Sequence, residues 1–287
     1  MKIAVIGGSG YIAQYLKRFL KKKDSDIELL SIGRSREDIL KLDLSKPEEF
    51  DYQKLNHIDY VIFAAAISSP DLCETNYEFA YKVNVTGTSY FIKRALDIGC
   101  KIVFLSSDAV YGFLNTEINE KTETVAETAY GKMKKEIEDE FRKDENFKSI
   151  RLSYVFSSTD KFSKYLKECR EKKETAEVFD GFSRSCVTIS EVLNAIWYLI
   201  NNWNSFSHPF LNICGDELVS RVDIAENWKK IYHQDFSYHI VSAPKDFFKT
   251  RPMVLKMSSL YIDKIIPNLN CSFYKRMKLE IESTEEE

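Results

Sequence analysis

The sequence predicts an α/β protein: a doubly wound parallel sheet followed by a smaller C-terminal lobe. Three observations predict it. Near-continuous apolar runs at residues 3–6, 59–66 and 101–106 read as strands buried on both faces. These runs alternate with segments of helical period, the order that builds parallel βαβ units. A glycine cluster, Gly7-Gly8-Ser9-Gly10, joins the first run to the first helical segment.

The elements follow in order. Residues 3–6 form a β-branched strand, and beyond the glycines Ile12, Tyr15, Leu16, Phe19 and Leu20 fall on one helical stripe. That helix ends at Lys21, Lys22 and Lys23, cations suited to the negative end of its dipole. Residues 27–32 make a second strand, and Ser45-Lys46-Pro47-Glu48 reads as a capping box opening another helix. Residues 59–66 are a third strand, 85–96 a helix, 101–106 a fourth strand, 130–142 a helix and 149–154 a strand. After about Val155 the alternation weakens, although 189–200 is helical and 209–214 reads as a late strand. Short elements around Pro244, Pro252 and Pro267 suit a small lobe at the sheet's carboxyl edge, where such folds bind ligands. The expected division is a nucleotide-binding domain over residues 1–155 and 187–214 and a substrate lobe over 156–186 and 215–287. Glu280, Glu282, Glu285, Glu286 and Glu287 predict a solvated, frayed tail.

Composition excludes several classes. A chain of 287 residues, 44% of them apolar, is long enough to bury a substantial core. A net charge of −3 offers no basic footprint for nucleic acid or an anionic membrane. The longest strongly apolar stretch, residues 61–67, is far shorter than the roughly 20 residues that span a bilayer, and the N-terminus lacks a signal-peptide pattern. The expectation is a cytoplasmic protein. Cys73, Cys100, Cys169, Cys186, Cys214 and Cys271 are scattered without a CxxC pair and read as ordinary thiols. His57, His208, His233 and His239 form no metal-ligand pattern, so no catalytic metal is expected.

Gly7 to Ala13 is a GxxGxxA turn between a strand and a helix, the context in which such a turn cradles a pyrophosphate in a Rossmann-like fold. Gly7 permits the tight turn, Gly10 the close approach of backbone to phosphate, and Ala13 the packing of helix on strand. Where an acidic residue would take the ribose 2′-hydroxyl of NAD, the chain reads Gly33-Arg34-Ser35-Arg36. An arginine there favours a 2′-phosphate, hence NADP(H), with NAD(H) the alternative. Asp43-Leu44, one element later, is placed to meet the adenine amino group.

Tyr130 and Lys134 lie four apart on a helix and therefore share a face. They follow a strand ending in Ser106-Ser107. A second YxxxK match, Tyr274 to Lys278, has no such strand before it. A tyrosine hydroxyl has an ordinary pKa near 10, and an adjacent ammonium that stabilises phenolate would bring it toward neutral pH. Lys134 supplies that ammonium in this reading, Ser107 orients a substrate oxygen, and Tyr130 exchanges the proton as hydride moves. The alternative is a tyrosine capping the core and a lysine reaching to solvent.

These segments, with Ala64-Ala65-Ala66, Asn84-Val85-Thr86-Gly87-Thr88, Leu105-Ser106-Ser107-Asp108-Ala109-Val110-Tyr111-Gly112, Leu211-Asn212-Ile213-Cys214-Gly215 and Arg251-Pro252, resemble the extended short-chain dehydrogenase/reductases of the NAD-dependent epimerase/dehydratase superfamily. Within them the chain is most similar to the nucleotide-sugar reductases of the dTDP-4-dehydrorhamnose reductase kind. The resemblance implies a Ser107, Tyr130, Lys134 triad. It implies a dinucleotide held by Gly7, Gly10, Tyr11, Ile12, Arg34, Asp43, Leu44, Ala64 and Ala65 together with Tyr130 and Lys134, and a nucleotide-sugar substrate met by Asp108, Arg184 and Arg251. Ordinary surface salt bridges are the other reading of the two arginines. It also implies a homodimer paired through the helix after Asn84 and the helix of Tyr130. Members that dehydrate their sugar carry an acidic pair after the catalytic Ser or Thr; this chain has Asp108-Ala109, which disfavours a 4,6-dehydratase.

The expected function is NADPH-dependent reduction of a keto group on a nucleotide-linked deoxysugar. The alternatives are an epimerase that keeps NAD bound and a sensor that binds NADP(H) without turnover.

Overall fold

The computed structural model describes residues 1–232, 236–244, 246–266 and 271–285, so His233, Pro267, Glu286 and Glu287 lie outside it. Seven strands, β1 (Lys2–Ile6), β2 (Glu28–Gly33), β3 (Leu40–Lys41), β4 (Tyr60–Phe63), β5 (Lys101–Ser107), β6 (Phe147–Leu152) and β7 (Phe210–Ile213), form one sheet in the order β7-β6-β5-β4-β1-β2-β3. β1 pairs in parallel with β2 and β4, β2 with β3, and β4 with β5. The order reverses direction on either side of β1 and β4, which marks the doubly wound topology and its ligand-binding switch point. All four residues of β4 and all six of β6 are buried, as strands covered on both faces require.

The longer helices are α1 (Tyr11–Lys23), α2 (Thr88–Asp97), α3 (Ala129–Phe141), α4 (Lys161–Lys172), α5 (Ile189–Asn201), α6 (Arg221–Ile231) and α7 (Phe273–Glu285). α1 buries Ala13, Leu16 and Leu20 and ends on its three lysines. A π-helical segment, Lys82–Gly87, runs straight into α2, so the helix expected from residue 85 starts in a wider turn. It passes so close to β3's exit that a Cβ on Gly87 would lie 1.7 Å from the Leu44 carbonyl oxygen. Phe63, Phe91 and Phe104 are almost completely excluded from water, and Phe63 meets the other two rings at 5.8 and 6.0 Å. Each contributes roughly 2 kcal/mol by burial.

By its contacts the chain divides into two units. The first comprises Met1–Gly112, Glu123–Arg151 and Ala195–Leu211; the second comprises Phe113–Thr122, Leu152–Asn194 and Asn212–Glu287. In the second unit the strand Ser183–Ser185 pairs with Leu218–Ser220 and Val254–Leu255, and Ala176–Phe179 pairs with Tyr238–Val241. Its core includes Phe156, Trp228, Phe273 and Met277. Segment Phe113–Thr122 joins this unit through a bridge between Ile118 and Met257.

Two sequence expectations are corrected. No capping box forms at Ser45-Lys46-Pro47-Glu48: Pro47–Glu49 is a single 3₁₀ turn whose N-cap, Lys46, makes no side-chain cap bond. Asp43 instead accepts the Ser45 N–H at 2.8 Å, turning the chain before a helix can start. Glu280 is not part of a solvated tail, since it is 5% exposed on α7 and accepts the Ser190 N–H. The other YxxxK match also lies on α7, where Lys278 pairs with Glu282 on an exposed face. Five cysteines are buried and Cys271 is half-buried, all as free thiols. Among the described residues no helix is long and apolar enough to cross a membrane.

The Gly87 contact is a direct test of the packing between β3's exit and the π-helical segment. Gly87→Ala forces one backbone off the other and is expected to lower unfolding stability by about 2 kcal/mol in urea denaturation. A midpoint equal to wild type contradicts the close approach.

Candidate active site

The glycine turn after β1 is built by backbone alone. Gly7 has φ 80°, and its N–H donates to the Ile32 carbonyl at 2.7 Å. A Cβ at Gly7 would meet Ala65 Cα at 2.8 Å, so only glycine fits there. Gly10 closes the turn with its N–H on the Gly7 oxygen at 2.8 Å and serves as N-cap of α1 without any side-chain bond. No acidic residue stands in the first turn of α1, so its positive end is uncompensated.

A cleft of about 560 Å³ opens beside this turn, lined by Gly7, Gly10, Arg34, Asp43, Leu44, Ala64 and Ala65 among others. Tyr11 and Ile12 sit half-buried on α1's first turn and are not in the lining. Arg34 is exposed at the cleft, while Asp43 is held below the usual carboxylate range, chiefly by the Ser45 backbone N–H and more weakly by Arg34. The bare glycine cradle and the uncapped helix end fit the diphosphate of a dinucleotide.

Asp38 escaped the sequence reading. It is buried behind the loop, accepting the Ser31 hydroxyl at 2.6 Å and the Ser35 N–H at 3.0 Å. Its carboxylate therefore serves the turn after β2, and a Cβ at Gly33 would lie 2.5 Å from it. A Ser35-x-x-Asp38 spacing is the local trace of this arrangement, too common to be decisive.

The carboxyl end of β5 carries Ser107, which donates to Asp108 Oδ1 at 3.0 Å and accepts the Ala109 N–H at 3.2 Å. α3 begins next to this turn because Gly131 presses backbone on backbone: a Cβ there would lie 2.3 Å from the Ala109 oxygen. Thr128 caps α3 through the Gly131 N–H, and Glu74 accepts the Ala129 N–H at 2.7 Å. Tyr130 is half-buried, near enough to Asp108 to feel its charge.

The electrostatics reverse one expectation. Burial first, then Asp108 and Cys73, push the Tyr130 hydroxyl well above its ordinary range. Lys134 directs its charge elsewhere. Its Nζ donates to the Leu105 carbonyl at 2.8 Å and lies 4.3 Å above the Phe104 ring, against 5.9 Å from the Tyr130 ring. Burial pushes Lys134 down to about 8, opposed by the carboxylate of Glu138.

Two buried groups behind α3, Glu138 and Arg151, were not singled out by sequence. Glu138 accepts the Ser149 hydroxyl at 2.9 Å and pairs with Arg151 at 2.7 Å, both partners almost fully enclosed. Arg151 also donates to the Tyr111 hydroxyl at 2.8 Å, linking β6 to the turn after Ser107. Asn84, in the π-helical segment, brackets Ile67 with two hydrogen bonds of 2.8 and 3.0 Å and contacts Met133 on α3. The i, i+4, i+8 spacing of Tyr130, Lys134 and Glu138 was visible, but a lone glutamate on a helix reads as solvated.

The two arginines that the resemblance assigns to a substrate lie in the second unit. Arg184 is 5% exposed and donates to the carbonyls of Ser183, Pro252 and Met253, a backbone clamp rather than a surface ion pair. Arg251 is half-buried, donating to Phe247 O and to Thr250 Oγ1.

Comparison with known proteins places this geometry in context. Residues 1–252 match the family described as RmlD substrate binding domain. The spore coat polysaccharide biosynthesis protein SpsK of Bacillus subtilis is 27% identical over 214 residues, covering 72% of this chain and 70% of that protein. The dTDP-4-dehydrorhamnose reductase of Sinorhizobium fredii is 28% identical over 161 residues, covering 55% of this chain and 51% of that protein. The UDP-glucuronic acid 4-epimerase of Bacillus cereus, solved with UDP-glucuronic acid and NAD, superposes with a TM-score of 0.82 over 100% of this chain and 99% of its own, at 19% identity. At that identity the likeness speaks for the fold.

Lys134 offers a test by pH. Its value falls from 10.5 in a free chain to about 8 here, so between those values the unfolded chain binds more protons and stability rises with pH. Relative to Lys134→Met, the wild-type chain is expected to gain on the order of 2 kcal/mol of unfolding stability from pH 8 to pH 10.5. A flat difference across that window refutes the depressed value.

Proposed function

We propose that this chain, which belongs to the RmlD substrate binding domain family, reduces a keto group on a nucleotide-linked deoxysugar with NADPH. The observation that supports the reading is the backbone contact of Gly131 on Ala109, which packs the helix of Tyr130 and Lys134 on the turn that follows Ser107. The first unit, with its glycine turn and Arg34, takes the dinucleotide; the second, with Arg184 and Arg251, takes the sugar nucleotide.

A bound NADPH supplies the hydride. The chain's own groups do the rest. Gly7, Gly10 and the first turn of α1 hold the diphosphate, and Arg34 meets the 2′-phosphate. The Ser107 hydroxyl turns from Asp108 to the carbonyl oxygen of the sugar and orients it. Tyr130, kept protonated by its buried setting, donates its proton to that oxygen as negative charge develops there. Lys134 remains an ammonium at neutral pH, close enough to its own titration to return the proton. A tyrosine biased toward the acid form suits reduction better than the proton removal with which an epimerase starts.

Assay of dTDP-, UDP-, GDP- and CDP-linked 4-keto sugars is expected to show one NADPH oxidised per sugar converted. Conversion without net NADPH oxidation would establish the epimerase instead. Tyr130→Phe should lower kcat at least about 100-fold with the Kd for NADPH unchanged, and a variant that keeps full turnover removes the tyrosine from the mechanism. Arg34→Ala should raise KM for NADPH about tenfold and leave KM for NADH alone, the discrimination expected from losing one charge-assisted contact. Equal effects on both cofactors would contradict a 2′-phosphate contact.

A further inference from the structure

Asp38 is a buried carboxylate that the proposed chemistry does not use. It is 4% exposed and lies behind the turn that follows β2, accepting the Ser31 hydroxyl at 2.6 Å and the Ser35 N–H at 3.0 Å. The Ser31 oxygen in turn accepts from the Lys17 ammonium at 3.3 Å, so a cation of α1 answers the carboxylate through one hydroxyl. Lys41 takes the carbonyls of the same turn, donating to Ser35 O and to Asp38 O, and the Asp38 N–H closes on the Ser35 carbonyl at 3.1 Å. Residues 35–38 are thus held by an anion on an N–H and by a cation on two carbonyls.

Two glycines make room for this arrangement. Neither Gly8 nor Gly33 has a positive φ, so backbone conformation does not demand glycine at either position. A Cβ at Gly8 would lie 1.9 Å from Ser31 Oγ and 2.6 Å from Asp38 Oδ1, and one at Gly33 would lie 2.5 Å from Asp38 Oδ2. The GxxGxxA pattern leaves position 8 free, and the approach of Ser31 and Asp38 is what restricts it to glycine. The turn after β1 and the turn after β2 therefore meet at one carboxylate.

This placement decides what the cleft is shown. Gly33, Arg34 and Ser35 line it, and Asp38 does not. An acid at the end of the second strand ordinarily accepts the ribose 2′-hydroxyl of NAD, and its charge repels a 2′-phosphate. The acid of this turn has both oxygens turned inward to Ser31 and Ser35, and the group left at the cleft is the exposed guanidinium of Arg34.

We propose that Asp38 is the positioning residue that sets the preference of the cleft for a 2′-phosphorylated dinucleotide. It acts through the Ser35 N–H, holding the backbone beside Arg34 while keeping its own charge from the ribose. The proposal rests on the cofactor reading above, in which Arg34 meets the 2′-phosphate. A turn fixed before binding loses less entropy when the phosphate arrives. Asp38→Asn keeps the shape but turns an amide N–H toward one of two donors, so either Ser31 or Ser35 loses its acceptor and the turn is released.

The test is equilibrium binding of NADPH and of NADH to the full chain, followed by nicotinamide fluorescence without any sugar. Wild type is expected to bind NADPH at least about tenfold more tightly than NADH, and Asp38→Asn to weaken NADPH about tenfold while changing NADH by less than about twofold. Because Asp38 acts through Arg34, adding Asp38→Asn to Arg34→Ala should leave NADPH affinity where Arg34→Ala alone puts it. Lys41→Met, at an exposed position, removes the tie on the carbonyls and should weaken NADPH alone by about threefold; it decides by the same criterion should the Asp38→Asn protein fail to fold. Equal losses for both dinucleotides, or losses from Asp38→Asn and Arg34→Ala that add, would make Asp38 a general support of the fold and overturn the proposal with the Arg34 contact intact. A wild type that binds both dinucleotides alike removes the 2′-phosphate contact and the proposal together. If the preference follows Asp38 as expected but no keto-sugar nucleotide is reduced, the proposal stands and the reductase reading falls.

Discussion

Behind the helix that carries Tyr130 and Lys134, Glu138 and Arg151 form an ion pair shut away from solvent, and the geometry of the site depends on it. Such a pair gives back little net stability, because removing two charges from water costs nearly what their attraction returns. What it supplies is position. Glu138 fixes α3 to β6 through Arg151 and Ser149, and Arg151 reaches on to Tyr111 in the turn that follows Ser107. One network thus fixes the helix of Tyr130 and Lys134 against the strand and turn around Ser107. Replacing one partner alone would leave a buried charge unanswered, so the pair acts as a constraint on register rather than as a source of stability.

The same network sets the electrostatic tone of the helix. Glu138 stands one turn beyond Lys134 and opposes the effect of burial on its ammonium. Tyr130, one turn before, feels Asp108 and the loss of water and holds its proton firmly. Along a single face the order is therefore a phenol raised above its ordinary range, an ammonium lowered to about 8 and a carboxylate paired with Arg151. That gradient comes from burial more than from the tyrosine–lysine pairing itself, since Lys134 points its charge to the Leu105 carbonyl and the Phe104 ring. In the proposed reaction, the lysine's influence on the phenol would depend on what lies between them when a cofactor is bound.

The second unit shows the opposite strategy. Where the first unit pairs its buried arginine with a glutamate, the second surrounds Arg221 with rings and leaves it without a counter-ion among the described residues. Arg184 is satisfied by backbone carbonyls, and Arg276 by Glu191 at 2.9 Å.

The sequence by itself determined the sheet, its glycine turn and the helical spacing of Tyr130 and Lys134. These are local matters: strand burial writes itself as apolar runs, a tight turn demands glycine, and a four-residue step is one helical turn. The doubly wound parallel sheet agrees with that reading, while its seven-strand order belongs to the structure. Only the tertiary structure decided which charges are buried and with whom. Glu280 reads as tail and lies in the core, Asp43 takes Ser45 before a capping box can form, and Phe113–Thr122 crosses to the second unit by pairing Ile118 with Met257. Each of these depends on contacts between residues distant in the chain or on competition among neighbours for one hydrogen bond, and neither leaves a period or a spacing behind. The direction of the Tyr130 shift belongs to the same class, because desolvation is a property of everything packed around a group and of no residue alone.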